Sequence, residues 1–334
     1  MKYFISLILI LVFSLFLAPQ VLAQQSPAPQ RQEFYKAKVI QVEKQDTKLV
    51  EGVRNIYQKI KVQILEGPDN GKTVEIESGL NTTLSPSQVV TSNEMIVLTK
   101  IAPTGQKAQY QVYDIYRINE IIYIGLAFVL IVIFIAGWKG LGSIVGLIIS
   151  LSIIFLYVVP QILNGADPLL VSIYGSLAIL FLTTYLAHGV SKQTTVALFS
   201  TFIVLMLTAW LSSFFVNMTH LSGFTEETSS LQFGPTSNIS VKGLLLGGII
   251  IGTLGALNDI TTTQAAAVFE LAATDIKLTF KQLFKKSFSI GREHVVSMVN
   301  TLVLAYAGSA LALFLFIILN PLKLPIWVMI NSED

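Results

Sequence analysis

The sequence predicts an α-helical polytopic membrane bundle preceded by a small all-β domain. Three observations predict it. Only 13% of the 334 residues are charged and 53% are hydrophobic, where a soluble chain carries about 25% charged residues. Charge-free stretches of membrane-spanning length recur between residues 118 and 320. Upstream of them lies a segment of opposite character, residues 34–117, with 11 Lys/Arg and 9 Asp/Glu in an alternating pattern.

Residues 1–23 read as a secretory signal. Lys2 supplies the positive start, residues 3–18 the apolar run, Pro19 the break, and Val21-Leu22-Ala23 a small-residue cleavage site. The rival reading is an uncleaved anchor helix. Both put the following segment outside the cell. Residues 24–33 are rich in Gln, Pro and Ala and predict a flexible tether.

In residues 34–117, Lys36-Ala37-Lys38-Val39-Ile40-Gln41-Val42 and Tyr57-Gln58-Lys59-Ile60-Lys61-Val62-Gln63-Ile64 alternate with period two, the mark of strands with one wet face. Gly67-Pro68-Asp69-Asn70-Gly71 is a turn into a third strand, 72–77. Segments 94–101 and 108–116 complete about five strands, which suits a small extracytoplasmic barrel of the OB or SH3-like kind.

Residues 118–322 form the membrane domain, and a spanning helix needs about 20 mostly apolar residues. Six spans are predicted, at about 119–138, 141–163, 168–187, 195–217, 241–258 and 295–319. With the β domain outside, Lys139, His188, Lys192, Lys277, Lys281, Lys285, Lys286 and Arg292 fall on the inner side. Asp167, Glu226 and Glu227 fall on the outer side, as the positive-inside rule requires. Residues 260–273 are apolar, but a seventh crossing there would put five basic residues outside. The segment is therefore predicted to be a re-entrant or interfacial helix.

Candidate functional residues concentrate around that segment. Asn258-Asp259-Ile260-Thr261-Thr262-Thr263-Gln264 is the densest polar run, with Glu270 following. At about 100° per residue, Asp259, Thr262, Ala266 and Glu270 share one helical face. Two carboxylates with the hydroxyls of Thr262 and Thr263 suit a hard cation or a proton relay, and acidic groups at membrane depth are costly and usually functional. The plain alternative is a helix start, with Thr261 and Gln264 as a capping box. Arg292 is positioned to pair with Asp259 or Glu270. Asn300, deep in an apolar span, predicts a hydrogen bond to another helix. Gly243, Gly247, Gly248, Gly252 and Gly255 predict close helix packing, or a helix that slides at a transport site.

Several classes are excluded or disfavoured. The chain has no cysteine, which excludes disulfides and thiolate metal sites. A net charge of +2 points to no nucleic-acid partner. The three histidines form no metal motif, and no Gly-Lys-Ser/Thr phosphate loop or Gly-x-Ser-x-Gly elbow occurs. Asp259 has no second aspartate to make an aspartyl protease. Neither an enzyme nor a cofactor is therefore expected. The predicted partners are the lipid bilayer and a small-molecule or ion substrate of a permease. The alternative is an envelope scaffold or receptor whose β domain binds a partner.

Residues 252–271, Gly-Thr-Leu-Gly-Ala-Leu-Asn-Asp-Ile-Thr-Thr-Thr-Gln-Ala-Ala-Ala-Val-Phe-Glu-Leu, resemble the signature of the YibE/F-like family of bacterial membrane proteins. Ile290-Gly291-Arg292-Glu293 and Met298-Val299-Asn300-Thr301-Leu302-Val303-Leu304-Ala305-Tyr306-Ala307-Gly308 resemble its second signature. The resemblance covers 118–320 well and the β region weakly. It implies a multi-pass protein of the bacterial cytoplasmic membrane with an extracytoplasmic N-terminal domain. It marks Gly255, Asp259, Glu270, Arg292, Asn300 and Tyr306 as motif positions and supplies no substrate. It also implies a further hydrophobic span after Pro321. Residues 323–334 are expected to be a tail that either precedes a span missing from this sequence or ends the protein.

Overall fold

The computed structural model describes residues 33–50, 53–79, 84, 89–101, 109–229, 231, 238–320 and 323–331. The signal and nearly all of the tether therefore lie outside the described residues. The chain divides into two compact units, one holding the sheet and one holding the helices from residue 132 onward.

The first unit is a five-stranded antiparallel sheet curled into a half-barrel. Its strands are β1 (Glu33–Val50), β2 (Val53–Ile64), β3 (Thr73–Ser78), β4 (Met95–Ile101) and β5 (Gln109–Ile115), in the order β3-β2-β1-β4-β5. β1 is long enough to pair with both β2 and β4, and register shifts at Val39/Gln41 and Val42/Lys44 bend it. Alternation turns Ala37, Val39, Ile60, Val62, Ile64, Ile96 and Leu98 into one buried face. The buried Gln58 amide donates to the Val90 carbonyl at 2.9 Å and accepts from its N–H at 3.0 Å, standing in for a strand neighbour.

Asp69 ties the β2–β3 turn to the far side of the curl. Its carboxylate accepts from Lys100 on β4 at 2.7 Å, from Tyr110 on β5, and from Lys72. Lys100 first, then Lys72 and Tyr110, hold this carboxyl well below the usual carboxylate range, against the opposing effect of burial. Gly67 opens the turn at φ +82°, and any Cβ there would overlap the Tyr35 ring.

The helices are α1 (Ile118–Ile153), a π-helical turn (Ile154–Val158), α2 (Val159–Leu163), α3 (Pro168–His188), α4 (Lys192–Met218), α5 (Glu226–Ser229), α6 (Val241–Thr274), α7 (Phe280–Ser309), α8 (Leu311–Leu319) and α9 (Ile326–Asn331). Caps fix the starts: Asp167 accepts from Leu170 N–H ahead of Pro168, Ser191 from Thr194 N–H, and Ser240 from Gly243 N–H. Pro160 offers no N–H to the Leu156 carbonyl, which accounts for the widened turn just before it.

Among the described residues, four helices are long and apolar enough to cross a membrane. They become five if α7 and α8, bent by 64°, form one broken span. The first of these runs 46 residues, 118–163, or about 69 Å, more than twice a bilayer core of ~30 Å. Gly137, at φ 56° and ψ −136°, divides it where the sequence separates spans 119–138 and 141–163.

Two expectations need correction. Residues 260–273 are not a separate helix: α6 runs unbroken for 34 residues. No Gly or Pro lies between 256 and 274 to stop it, and the Thr261 hydroxyl donates to the Leu257 carbonyl at 2.9 Å rather than capping. The capping box belongs instead to Thr279 and Gln282 at the start of α7. The predicted span 295–319 is bent at Ala310, next to Gly308 and Ser309, whose hydroxyl turns back to the Tyr306 carbonyl at 2.8 Å.

α6 is the centre of the second unit. It packs on α3 and α4 through Ile250 and Leu254 against Ile179, Leu180, Leu205 and Ala209, all buried.

Candidate functional site

α6 meets its neighbours through polar as well as apolar contacts. The Thr184 hydroxyl on α3 donates to Asn258 Oδ1 at 3.0 Å. The hydroxyls of Thr201 on α4 and Thr261 on α6 bond one another. Gln264 Nε2 donates to the Ser287 carbonyl of α7 at 2.8 Å. Inside a bundle such bonds fix rotation and register about the helix axis.

A cavity of about 420 Å³ opens beside this ladder, between the C-terminal part of α1, α3 and α6. Its apolar wall comes from residues such as Leu147, Ile179 and Leu254, and its polar lining from Ser143, Ser150, Thr183, His188 and Asn258. Gly146 and Gly255 keep two walls low; a Cβ at Gly255 meets nothing within 4 Å. The π-helical turn contributes Ile154, and π-bulges are frequent at functional sites. Among the described residues the lining holds no Asp, Glu, Lys or Arg.

The sequence-predicted site residues are not assembled here. Asp259 follows Asn258 but is exposed, on the face of α6 turned away from α3 and α4, as are Thr263 and Glu270. The two carboxylates share a face of one helix, as the periodicity requires. Eleven residues separate them, about 16 Å of rise, so they cannot grip one ion. Thr262 spends its hydroxyl on the Asn258 carbonyl at 2.8 Å. Arg292 does not reach Asp259 or Glu270; it lies 3.7 Å from its neighbour Glu293, both exposed. Asn300 is exposed and makes no interhelical hydrogen bond among the described residues.

The glycines divide. A Cβ at Gly243 would come within 3.0 Å of Pro168, and one at Gly247 would overlap Ser172, so this row packs on α3. Gly248, Gly252 and Gly255 face open space in the described chain. Sequence reasoning missed Ser143, Ser150, Thr183 and Thr184. The seven-residue spacing of Ser143 and Ser150 on one helix face was the available signal.

A curled N-terminal sheet, followed by helices long and apolar enough to span a membrane and centred on a Gly-rich helix with a polar midsection, defines the class of protein. The chain belongs to the YibE/F-like protein family, which matches residues 124–334 and so the whole helical region from early α1 onward. No curated protein and no solved structure matches the chain.

Proposed function

We propose that the helical part is a permease-like protein that passes a small solute across the cytoplasmic membrane by way of the cavity between α1, α3 and α6. The observation that carries this reading is the cavity itself: an open, mainly apolar recess with hydroxyl, amide and imidazole groups, bordered by Gly255 and a π-helical turn. Small-molecule sites have this make-up, mostly apolar with a few directed polar groups, and transporter sites recur at irregular helix segments. In this reading the β domain is extracytoplasmic and the basic loops are inside. The cavity, with Ala187 and His188 in its lining, then lies toward the inner side. Asp259 and Glu270 are candidates for a coupling ion or proton, each acting alone.

The test is complementation in a deletion strain profiled for intracellular solutes. Gly255→Leu adds bulk at the wall of the cavity without a backbone clash. Loss of complementation at normal protein levels supports the reading, and full complementation defeats it. The chain has no native cysteine, so an impermeant thiol reagent should label Thr225→Cys and not Lys286→Cys in intact cells; the reverse pattern refutes the orientation.

A receptor or scaffold role is the second reading. It is favoured by an exposed aromatic pair on the sheet, Phe34 and Tyr113, with ring centroids 4.9 Å apart. A chain lacking the β domain that still complements rules it out.

A further inference from the structure

We infer that the cavity takes a small uncharged solute whose polar end carries both a hydrogen-bond donor and an acceptor, in the manner of a primary amide, rather than an ion. The inference rests on the reading of the cavity as a solute site and names the class of solute. It follows from where the polar protons of Ser150, Thr183 and Asn258 go; the Ser143 hydroxyl, with no partner among the described residues, can donate or accept. The Ser150 hydroxyl donates to the Gly146 carbonyl at 2.9 Å, and the Thr183 hydroxyl to the Ile179 carbonyl at 2.7 Å. Both protons are committed to backbone, so these oxygens face the cavity as acceptors. Asn258 is the converse. Its carbonyl oxygen takes the Thr184 hydroxyl at 3.0 Å, while its NH₂ has no partner among the described residues. It therefore offers donors.

Ions fit this set poorly. A desolvated anion needs a compensating positive charge or several donors, and the lining holds no Lys or Arg. A desolvated hard cation takes about six oxygen ligands. Here the three hydroxyl oxygens of Ser143, Ser150 and Thr183 are free, half the number a hard cation takes, the Asn258 side-chain carbonyl is engaged, and no carboxylate lines the space among the described residues. Asp259, exposed and about 100° further round α6 than Asn258, is not part of the lining. His188 is exposed, at the end of α3 and so at the edge of the lining. An amide matches the three groups whose bonding is fixed: its NH₂ donates to Ser150 and Thr183, its carbonyl accepts from Asn258, and its hydrocarbon lies against Leu147, Ile179 and Leu254. The cavity, about 420 Å³, is at the small end of ligand pockets, roughly 300–1,000 Å³.

The experiment uses the full-length protein purified in detergent and three probes of matched length: pentanamide, pentanoate and pentylamine. Affinities come from thermal-shift titrations. The amide should bind about tenfold more tightly than either ion, the ratio expected from one mismatched hydrogen bond of about 1.4 kcal/mol in a half-buried site. Gly255→Leu should abolish the shift. Asn258→Asp keeps an oxygen for Thr184 but replaces the NH₂ donor with negative charge, so preference should pass from the amide to pentylamine. Equal or tighter binding of an ion to the wild type, sensitive to Gly255→Leu, overturns the solute class while leaving a solute site. Amide binding that survives both substitutions overturns the assignment to this cavity. If no probe binds, the solute site falls with it. If the amide binds as stated but Gly255→Leu complements the deletion strain, only the permease reading fails.

Discussion

Gly247→Ala tests the packing of α6 on α3 most directly. The added methyl would overlap Ser172 Oγ and come within 3.1 Å of the Pro168 carbonyl oxygen. Ser172 is 2% exposed, so its hydroxyl has little room to rotate away, and the carbonyl is held in the first turn of α3. Overpacking of this kind costs about 1–3 kcal/mol. Alanine also favours helix over glycine by about 1 kcal/mol, a gain that Gly248→Ala collects in full because nothing lies within 4 Å of its Cβ. The propensity gain is common to both variants and cancels between them. Gly247→Ala should therefore be less stable than Gly248→Ala by about 1–3 kcal/mol, or about 5- to 150-fold in the folding equilibrium. Tryptophan fluorescence during thermal or SDS unfolding in detergent measures it. Equal stability of the two, or a more stable Gly247→Ala, would refute the packing assignment.

The other predictions concern single polar groups. Thr184→Val deprives Asn258 Oδ1 of its donor and should cost about 1 kcal/mol, recovered by Thr184→Ser; an unchanged melting temperature would argue against the α3–α6 bond. Asp69 has a depressed carboxyl, so its contribution is present above the ordinary carboxylate value of about 3.9 and is lost as pH falls below it toward the folded-state value. The stability advantage of wild type over Asp69→Asn, followed by hydrogen exchange of β4 amides, should be constant from pH 7 to 5 and shrink below about pH 4; a constant difference down to pH 2 would contradict the latch. Asp259→Asn with Glu270→Gln should change stability by less than about 0.5 kcal/mol, since neither carboxylate has a partner among the described residues. A normal melting temperature with full complementation would remove both from any ion pathway.

Much of the architecture is local and therefore written in the chain. Period-two alternation makes strands β1 to β5 because side chains i and i+2 share a face whatever the neighbour. Apolar runs make the long helices, and Asp167-Pro168, Ser191 and Ser240 start three of them with side-chain caps that need no distant contact. The family signature, 252–271, is likewise visible as residues. Other features depend on which face of an element meets which partner, and periodicity carries no such information. Gly243 and Gly247 pack while Gly248 and Gly252 do not, though both rows have the same spacing. The polar run at 258–264 looks like a helix start, yet Thr184 and Thr201 engage Asn258 and Thr261 from other helices, and the helix runs through. Asp259, the more conspicuous residue, turns outward, while Asn258 faces the cavity with Ser150 and Thr183, residues more than 70 positions away. Only packing brings them together, because rotation of α6 about its axis is set by the buried face, Gly247, Ile250 and Leu254, and not by its charges.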